Sequence, residues 1–310
     1  VKKFLRYTFT LLLVAFLLAE GIGFFLMHRL AHSNFYKTTV ANRQSGAQYN
    51  YVVVGSSRAL TTINTVQLDA MLSTSGYNFS IDDTGIETHY LMLQHLKACG
   101  IRYKTLVLAV DIAAAVGAKS PAPSLAINDN DHRFLPFINR TYVHQYFAAR
   151  KAHGGGLYTI NRALPFVGLG YFNVELLWPA VMATLQPSRY YRSDSSGNFS
   201  YPSNTNANKL ALRSSDTVVL QYKNVHLQNI RDFCESNGIQ LVMYYSPTQG
   251  RVLSPTPPQV WLANERFLNY CSTIGDADMF YDAQHVNSKG REKMTRLLAQ
   301  DAGDWLRLKP

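Results

Sequence analysis

Two short segments carry the residue types that do chemistry. The first, Val54-Gly55-Ser56-Ser57-Arg58, sets a serine on the turn between an apolar run and a helical pattern. A serine hydroxyl is a weak nucleophile until a base takes its proton, and amides at a helix start point at the oxyanion that attack creates. The second is Tyr281-Asp282-Ala283-Gln284-His285-Val286-Asn287-Ser288-Lys289-Gly290, whose Asp282 lies 225 positions after Ser57. A carboxylate three residues before an imidazole on a loop can orient the ring and stabilise its charged form. The other ring nitrogen is then left to accept a serine proton. Ser57 as nucleophile, His285 as general base and Asp282 as its orienting acid form one candidate set. The competing roles are local: Ser57 as a helix cap, and His285 as a structural histidine bonded to backbone.

Such a set works only if the fold brings both segments to one place. Tyr49–Val54 is a β-branched run, followed by the helical pattern of Leu68 and Leu72. Gly76–Ile81 is a second short strand candidate with Asp82-Asp83-Thr84-Gly85 as its loop. Ile86, Tyr90, Leu93 and Leu96 then repeat at helical spacing up to Cys99-Gly100. Leu106–Asp111 and Ile239–Tyr245 are continuous apolar strands of the kind buried on both faces of a parallel sheet. Tyr222, Val225, Ile230 and Phe233 mark a helix stopped by Asn237-Gly238, and Val260, Ala263, Phe267 and Cys271 mark another. Met279–Tyr281 reads as the last strand, and Met294, Leu297, Leu298 and Trp305 as a closing helix. This alternation predicts an α/β fold over residues 49–112 and 216–310, a three-layer α/β/α sandwich on a mainly parallel sheet of flavodoxin-like type. In such sheets the site forms at the strands' C-terminal ends, where Ser57, Asp82, Asp111, Ser246 and Asp282 fall.

Residues 113–215 break the alternation and read as an aromatic-rich insertion, helical at first and loop-like over the Ser/Asn stretch 193–208. It could roof a site, stack on sugar rings, rest on a membrane or partner, or simply pack on its own aromatics. At the other extreme, Tyr7–Met27 is 21 residues interrupted by one charge, Glu20. About 20 apolar residues span a bilayer, so residues 1–29 read as a membrane anchor; a cleaved signal peptide and a buried helix are the alternatives. Lys2, Lys3 and Arg6 on the near side place the N-terminus in the cytoplasm and the remainder outside it. Glu20 reads as a near-interface residue, with a contact inside the membrane as the other possibility. Residues 30–48 are polar and turn-rich, a stalk.

The 310 residues hold 47% apolar types, ample for a core, and exclude a disordered or low-complexity chain. Beyond residue 29, 26 Lys/Arg face 19 Asp/Glu, a basic balance suited to anionic head groups or acidic glycans. No nucleic-acid motif is present, and no cofactor or metal motif either: His28 and His32 have no third ligand, and the three cysteines lack metal spacing. Cys99, Cys234 and Cys271 read as buried thiols, with one disulfide among them the alternative; His89 and His95 read as helix-surface residues.

Gly-x-Ser after the first strand together with Asp-x-x-His-x-Asn-x-x-Gly near the C-terminus resembles the SGNH (GDSL-type) hydrolase superfamily. Gly-Ser-Ser-Arg-Ala, the following Tyr-Asn-Phe-Ser and the single anchor are similar to its membrane-tethered bacterial envelope members. The resemblance covers residues 50–111 and 217–306. It implies acyl-transfer chemistry through Ser57, His285 and Asp282, moving an acetyl group from a donor to a cell-surface glycan beside a membrane-bound O-acyltransferase. An esterase with the same residues, or a non-catalytic glycan-binding or assembly subunit, is the alternative. The resemblance also implies an oxyanion hole from the Ser57 amide and an amide of Ser80 or Gly85. The family's Gly-x-Asn-Asp segment is replaced here by Val110-Asp111-Ile112, leaving Asn78 as a substitute donor. Ser56 stands where the family usually has Asp. Arg58 is either a structural ion-pair partner or a substrate clamp.

Overall fold

The computed structural model describes residues 1–110, 127–151, 155–204, 216–218, 224–253 and 263–310. Asp111, Tyr222 and Val260 lie outside them. The chain divides into two compact units, Val1–Arg43 with Leu125–Tyr191, and Gln44–Ser124 with Arg192–Pro310.

The larger unit is built on a five-stranded, all-parallel sheet. Its strands are β1 (Gln48–Val54), β2 (Gly76–Asn78), β3 (Arg102–Ala109), β5 (Gln240–Tyr245) and β7 (Glu265–Asn269), in the order β2-β1-β3-β5-β7. Two three-residue strands, β4 (Asp216–Val218) and β6 (Arg251–Leu253), pair apart from it. The central strands are those with unbroken apolar runs, and β1 and β3 pair from Gln48 with Arg102 to Val54 with Leu108. Alternate strand residues serve two faces, as the pleat requires. Tyr51, Val53, Val107, Ala109, Val242 and Tyr244 pack with side chains of α3 (Ser57–Thr62), α4 (Thr65–Leu72) and α11 (Ser288–Leu306). On α5 (Ile86–Ala98) and α10 (Val225–Ser236), Tyr90 meets Phe233 edge-on. The fifth strand is a correction to the sequence reading. Phe267 and Cys271 do not lie on a helix: residues 265–269 are an edge strand, half-buried along most of its length. Met279–Tyr281 is no strand of the sheet but the end of a 3-10 turn, Ala277–Met279, and a single antiparallel bridge from Phe280 to Val286. His89 and His95 are likewise corrected from surface to core, since α5 is buried nearly all round. All three cysteines are buried thiols.

In the smaller unit, α1 (Lys2–Ala31) is the one described helix long and apolar enough by itself to cross a bilayer. Over most of its length its large apolar side chains are exposed. Glu20, Gly23, Met27, Leu30 and Ala31 form a buried stripe at helical spacing near its end. Residues 30–43 are not a bare stalk. They include α2 (Lys37–Arg43), and Ser33, Phe35, Tyr36 and Lys37–Ala41 are buried. The described part of the insertion supplies a 3-10 helix, Asp131–Phe137, followed by α6 (Thr141–Ala149), α7 (Gly155–Ile160), α8 (Pro165–Tyr171) and α9 (Trp178–Leu185). A single π-turn, Asn173–Leu177, leads into α9. Residues 192–204, read as part of the insertion, belong instead to the larger unit.

The turn that presents Ser57 depends on a close approach at Gly55. A Cβ there would lie 2.5 Å from Ala59 Cβ and 2.9 Å from Ala109 Cβ. Gly55→Ala is expected to destabilise the larger unit by about 1–3 kcal/mol, the usual cost of overpacking, read as a lowered thermal midpoint. An unchanged midpoint would show that the turn has slack.

Candidate active site

Ser57 opens α3 immediately beyond the C-terminal end of β1. The helix is capped by Ser56, whose hydroxyl accepts from the Arg58 amide, so the capping role falls to the neighbour and Ser57 is left as the first helical residue. Its own amide is among the first N–H groups of the helix, which have no partner within it. The Ser57 hydroxyl lies 2.9 Å from His285 Nε2. On the other side of the ring, Nδ1 lies 2.9 Å from both carboxylate oxygens of Asp282. The sheet thus brings Ser57, His285 and Asp282 into one hydrogen-bonded line.

The loop that carries the last two is held from several directions. Asp282 Oδ1 also accepts from the amides of Gln284 and His285, closing a tight Asx turn. The Tyr281 amide donates to the His285 carbonyl, and the Gln249 amide, beyond β5, donates to the Ala283 carbonyl. Asn287 is fully buried and does two things. Its Oδ1 caps α11 by accepting from the Lys289 and Gly290 amides. Its Nδ2 donates to the carbonyls of Asp278 at 2.6 Å and Ser203 at 3.2 Å. Gly290 is required because a Cβ there would lie 2.3 Å from the Met279 carbonyl oxygen. The spacing Asp-x-x-His-x-Asn-x-x-Gly is therefore one turn, one cap and one close contact in succession.

Burial alone would push the Asp282 carboxyl upward. The His285 side chain and the two amides outweigh it and hold the pKa below the usual carboxylate range. His285 and Asp282 keep 17% and 18% of their side-chain surface, so the line opens to solvent at one end.

The other site residues expected from sequence are placed differently. Asn78 Oδ1 accepts from the Ser80 amide, and Asn78 Nδ2 donates to the Ala59 carbonyl. Both of these expected oxyanion donors are thus engaged locally, with Asn78 fully buried. Gly85 caps α5, and its carbonyl accepts from the Thr88 and His89 amides. Arg58 is buried. Its guanidinium donates to the Ser246 carbonyl and to Thr248, and stacks 4.7 Å over the Tyr245 ring. It ties the turn after β1 to the end of β5.

One neighbour escaped the sequence reading. Tyr201 stacks on Tyr281 at 4.0 Å and meets His285 edge-on at 5.6 Å. Burial raises its phenol pKa, and the charges of Asp282, Asp82 and Asp83 add to the effect. The loop after β2 lies beside the turn of Ser57, where the Ile81 amide donates to the Gly55 carbonyl. The only signal was an aromatic pair, Phe199 and Tyr201, standing in an otherwise polar stretch.

No family model matches this chain, and no curated protein matches it in sequence.

Two outcomes test this account of the loop. Asn287→Ala removes a cap and leaves buried carbonyls without their donor, and is expected to cost about 1–3 kcal/mol in chemical denaturation. Asp282 gives a pH signature. A carboxyl depressed in the folded chain stabilises it above the unfolded pKa and loses that contribution as pH falls through the folded value. Asp282→Asn should melt below the parent protein at neutral pH, with the gap closing as pH falls below about 4. A gap that stays constant into the acid range would contradict the hydrogen-bonded assignment.

Proposed function

We propose that this chain is an exported, membrane-tethered, serine-dependent acyl-transfer enzyme of SGNH type that O-acetylates a cell-surface polysaccharide. The observation that carries the reading is the line Ser57–His285–Asp282, with both links at 2.9 Å. Serine, imidazole and carboxylate in that order are the parts that activate a hydroxyl for attack on a carbonyl. The parallel sheet order supports the fold half of the reading, and α1 supports the tether.

In the proposed cycle, His285 Nε2 takes the Ser57 proton as Oγ attacks the donor's acyl carbon. Asp282 steadies the imidazolium, and the Ser57 amide faces the developing oxyanion. Collapse expels the donor's leaving group, which takes the proton from His285, and leaves an acyl ester on Ser57. A sugar hydroxyl then gives its proton to His285 and attacks that ester; as the bond to Ser57 Oγ breaks, His285 returns the proton to Oγ and both residues are regenerated. Water in place of the sugar makes the same protein an esterase. The Tyr201–Tyr281 stack beside His285 suits an acceptor, because aromatic faces bind the apolar faces of sugar rings.

A second reading is a glycan-binding or assembly subunit that partners a membrane-bound O-acyltransferase. The local engagement of Asn78 and Ser80 favours it, since one lost oxyanion donor typically costs about 10²–10³ in rate.

A fluorophosphonate probe separates the two. The parent protein is expected to be labelled, and Ser57→Ala to lose labelling and at least ~10³-fold in acyl transfer. An unlabelled parent, or Ser57→Ala with undiminished glycan acylation, would sink the enzyme reading. Release of free acid with no acylated glycan would favour the esterase.

A further inference from the structure

The proposed tether has a companion in the insertion. Residues 165–185 carry one charge, Glu175, and two further polar residues, Asn173 and Thr184, in an otherwise apolar and aromatic run, and helices α8 and 173–185 form a bent pair, turned by 114°, of the kind seen in broken spans and re-entrant loops. They pack on α1, within the smaller unit, at places that fix their level. Counting from Arg6, about 30 Å of hydrocarbon takes some 20 residues, so the far interface falls near Leu26 and Glu20 lies roughly 9 Å inside it. Glu20 is buried there, and its Oε2 accepts from the Phe166 amide at 3.0 Å. Three residues on, Gly23 lets the Phe166 backbone come so close that a Cβ would lie 2.5 Å from its nitrogen. This is the small-residue contact by which helices approach in lipid. Nearer the interface, Arg29 donates to the Thr184 carbonyl at 3.5 Å. The segment therefore starts at the depth of Glu20 and ends at the level of Arg29.

At the entry to α8 the backbone meets the demand that lipid makes. Irregular chain at membrane depth must satisfy its own donors. In the turn before α8 the amides of Asn161, Arg162, Ala163 and Leu164 bond to carbonyls of Leu157, Thr159 and Ile160. Pro165 has no N–H, and Glu20 takes the amide of Phe166. Outward, the same element shows lipid-like surface: Ile160, Phe166, Val167, Tyr171, Val174 and Trp178 are exposed, Val174 at 70%. Tyr171 and Trp178 are the residue types of the interfacial aromatic belt. The element holds two charged residues, Arg162 and Glu175. The Glu175 carbonyl accepts from Tyr36, beyond the end of α1, and the Arg162 guanidinium donates to Asn139.

We infer that residues 160–185 form a re-entrant element seated in the membrane leaflet remote from the N-terminus, with acyl chains as the ligand of its exposed face and Glu20 as its internal cap. The inference rests on α1 spanning the bilayer, and it is independent of what Ser57 does. Tryptophan depth measurement on the full chain in nanodiscs tests it. Trp178, Trp261 and Trp305 are replaced by Phe, and one reporter is introduced, Phe166→Trp or, in α1, Leu12→Trp. Both reporters are expected to lose emission to acyl-chain-brominated lipid and to resist iodide. Leu12 lies as far inside the near interface as Glu20 does inside the far one, so both reporters should be quenched most by bromine at the same position along the acyl chain. Quenching at 12, with iodide access and no lipid quenching at 166, would overturn the inference and leave the face to a protein partner. Failure of both reporters to meet lipid would overturn the tether as well.

Discussion

One hydrogen bond, from Ser57 to His285, joins positions 228 residues apart, and everything proposed for this chain's chemistry depends on its being short. Neither residue can reach the other by local structure. The parallel sheet does it: β1 ends at Val54 and delivers Ser57 to its C-terminal edge. The loop of Asp282 and His285 is delivered by the packing of α11 beside α3 and α4. The β1–β3 boundary, where strand order reverses, is where a doubly wound sheet leaves a crevice. A register slip of one residue between these strands would exchange the side chains that pack on the sheet's two faces. The site is thus secured by the same alternation that builds the core.

Arg58 shows how the surroundings are drawn in. It follows the candidate nucleophile, yet its charge is spent inward, on the carbonyl of Ser246 and the ring of Tyr245. Asn78 and Ser80 are similarly turned toward each other. The polar groups nearest Ser57 in sequence therefore brace the turn, while the groups that complete the site come from distant loops: Tyr201, Asp282 and His285.

Much of this was legible in the residues. β1, β3 and β5 each end in an unbroken apolar run, as a strand segment buried on both faces must. The Asp-x-x-His turn was legible because its bonds are local. β7 was not, because an edge strand need not be apolar on both faces: Glu265 pairs with Arg231, and Arg266 with Asp304. Those charges hid the strand and left Phe267 and Cys271 at a spacing that mimics a helix. His89 and His95 were misplaced for a related reason. Periodicity registers apolar side chains, whereas these imidazoles sit in the core beside Thr84 and Cys99, short-range partners that leave no long-range pattern. The meeting of Glu20 with Phe166 is a tertiary contact 146 residues apart, and no local rule predicts it.

Asn287 ties two fates together. Because the same side chain caps the closing helix and grips the carbonyl of Asp278, fraying of that helix by a single turn would slacken the segment that aims the imidazole. Loss of order at the start of α11 and loss of the proposed reactivity at Ser57 then become one event, and a variant that merely loosens the helix would be scored in any functional screen as if it had struck the candidate catalytic line itself.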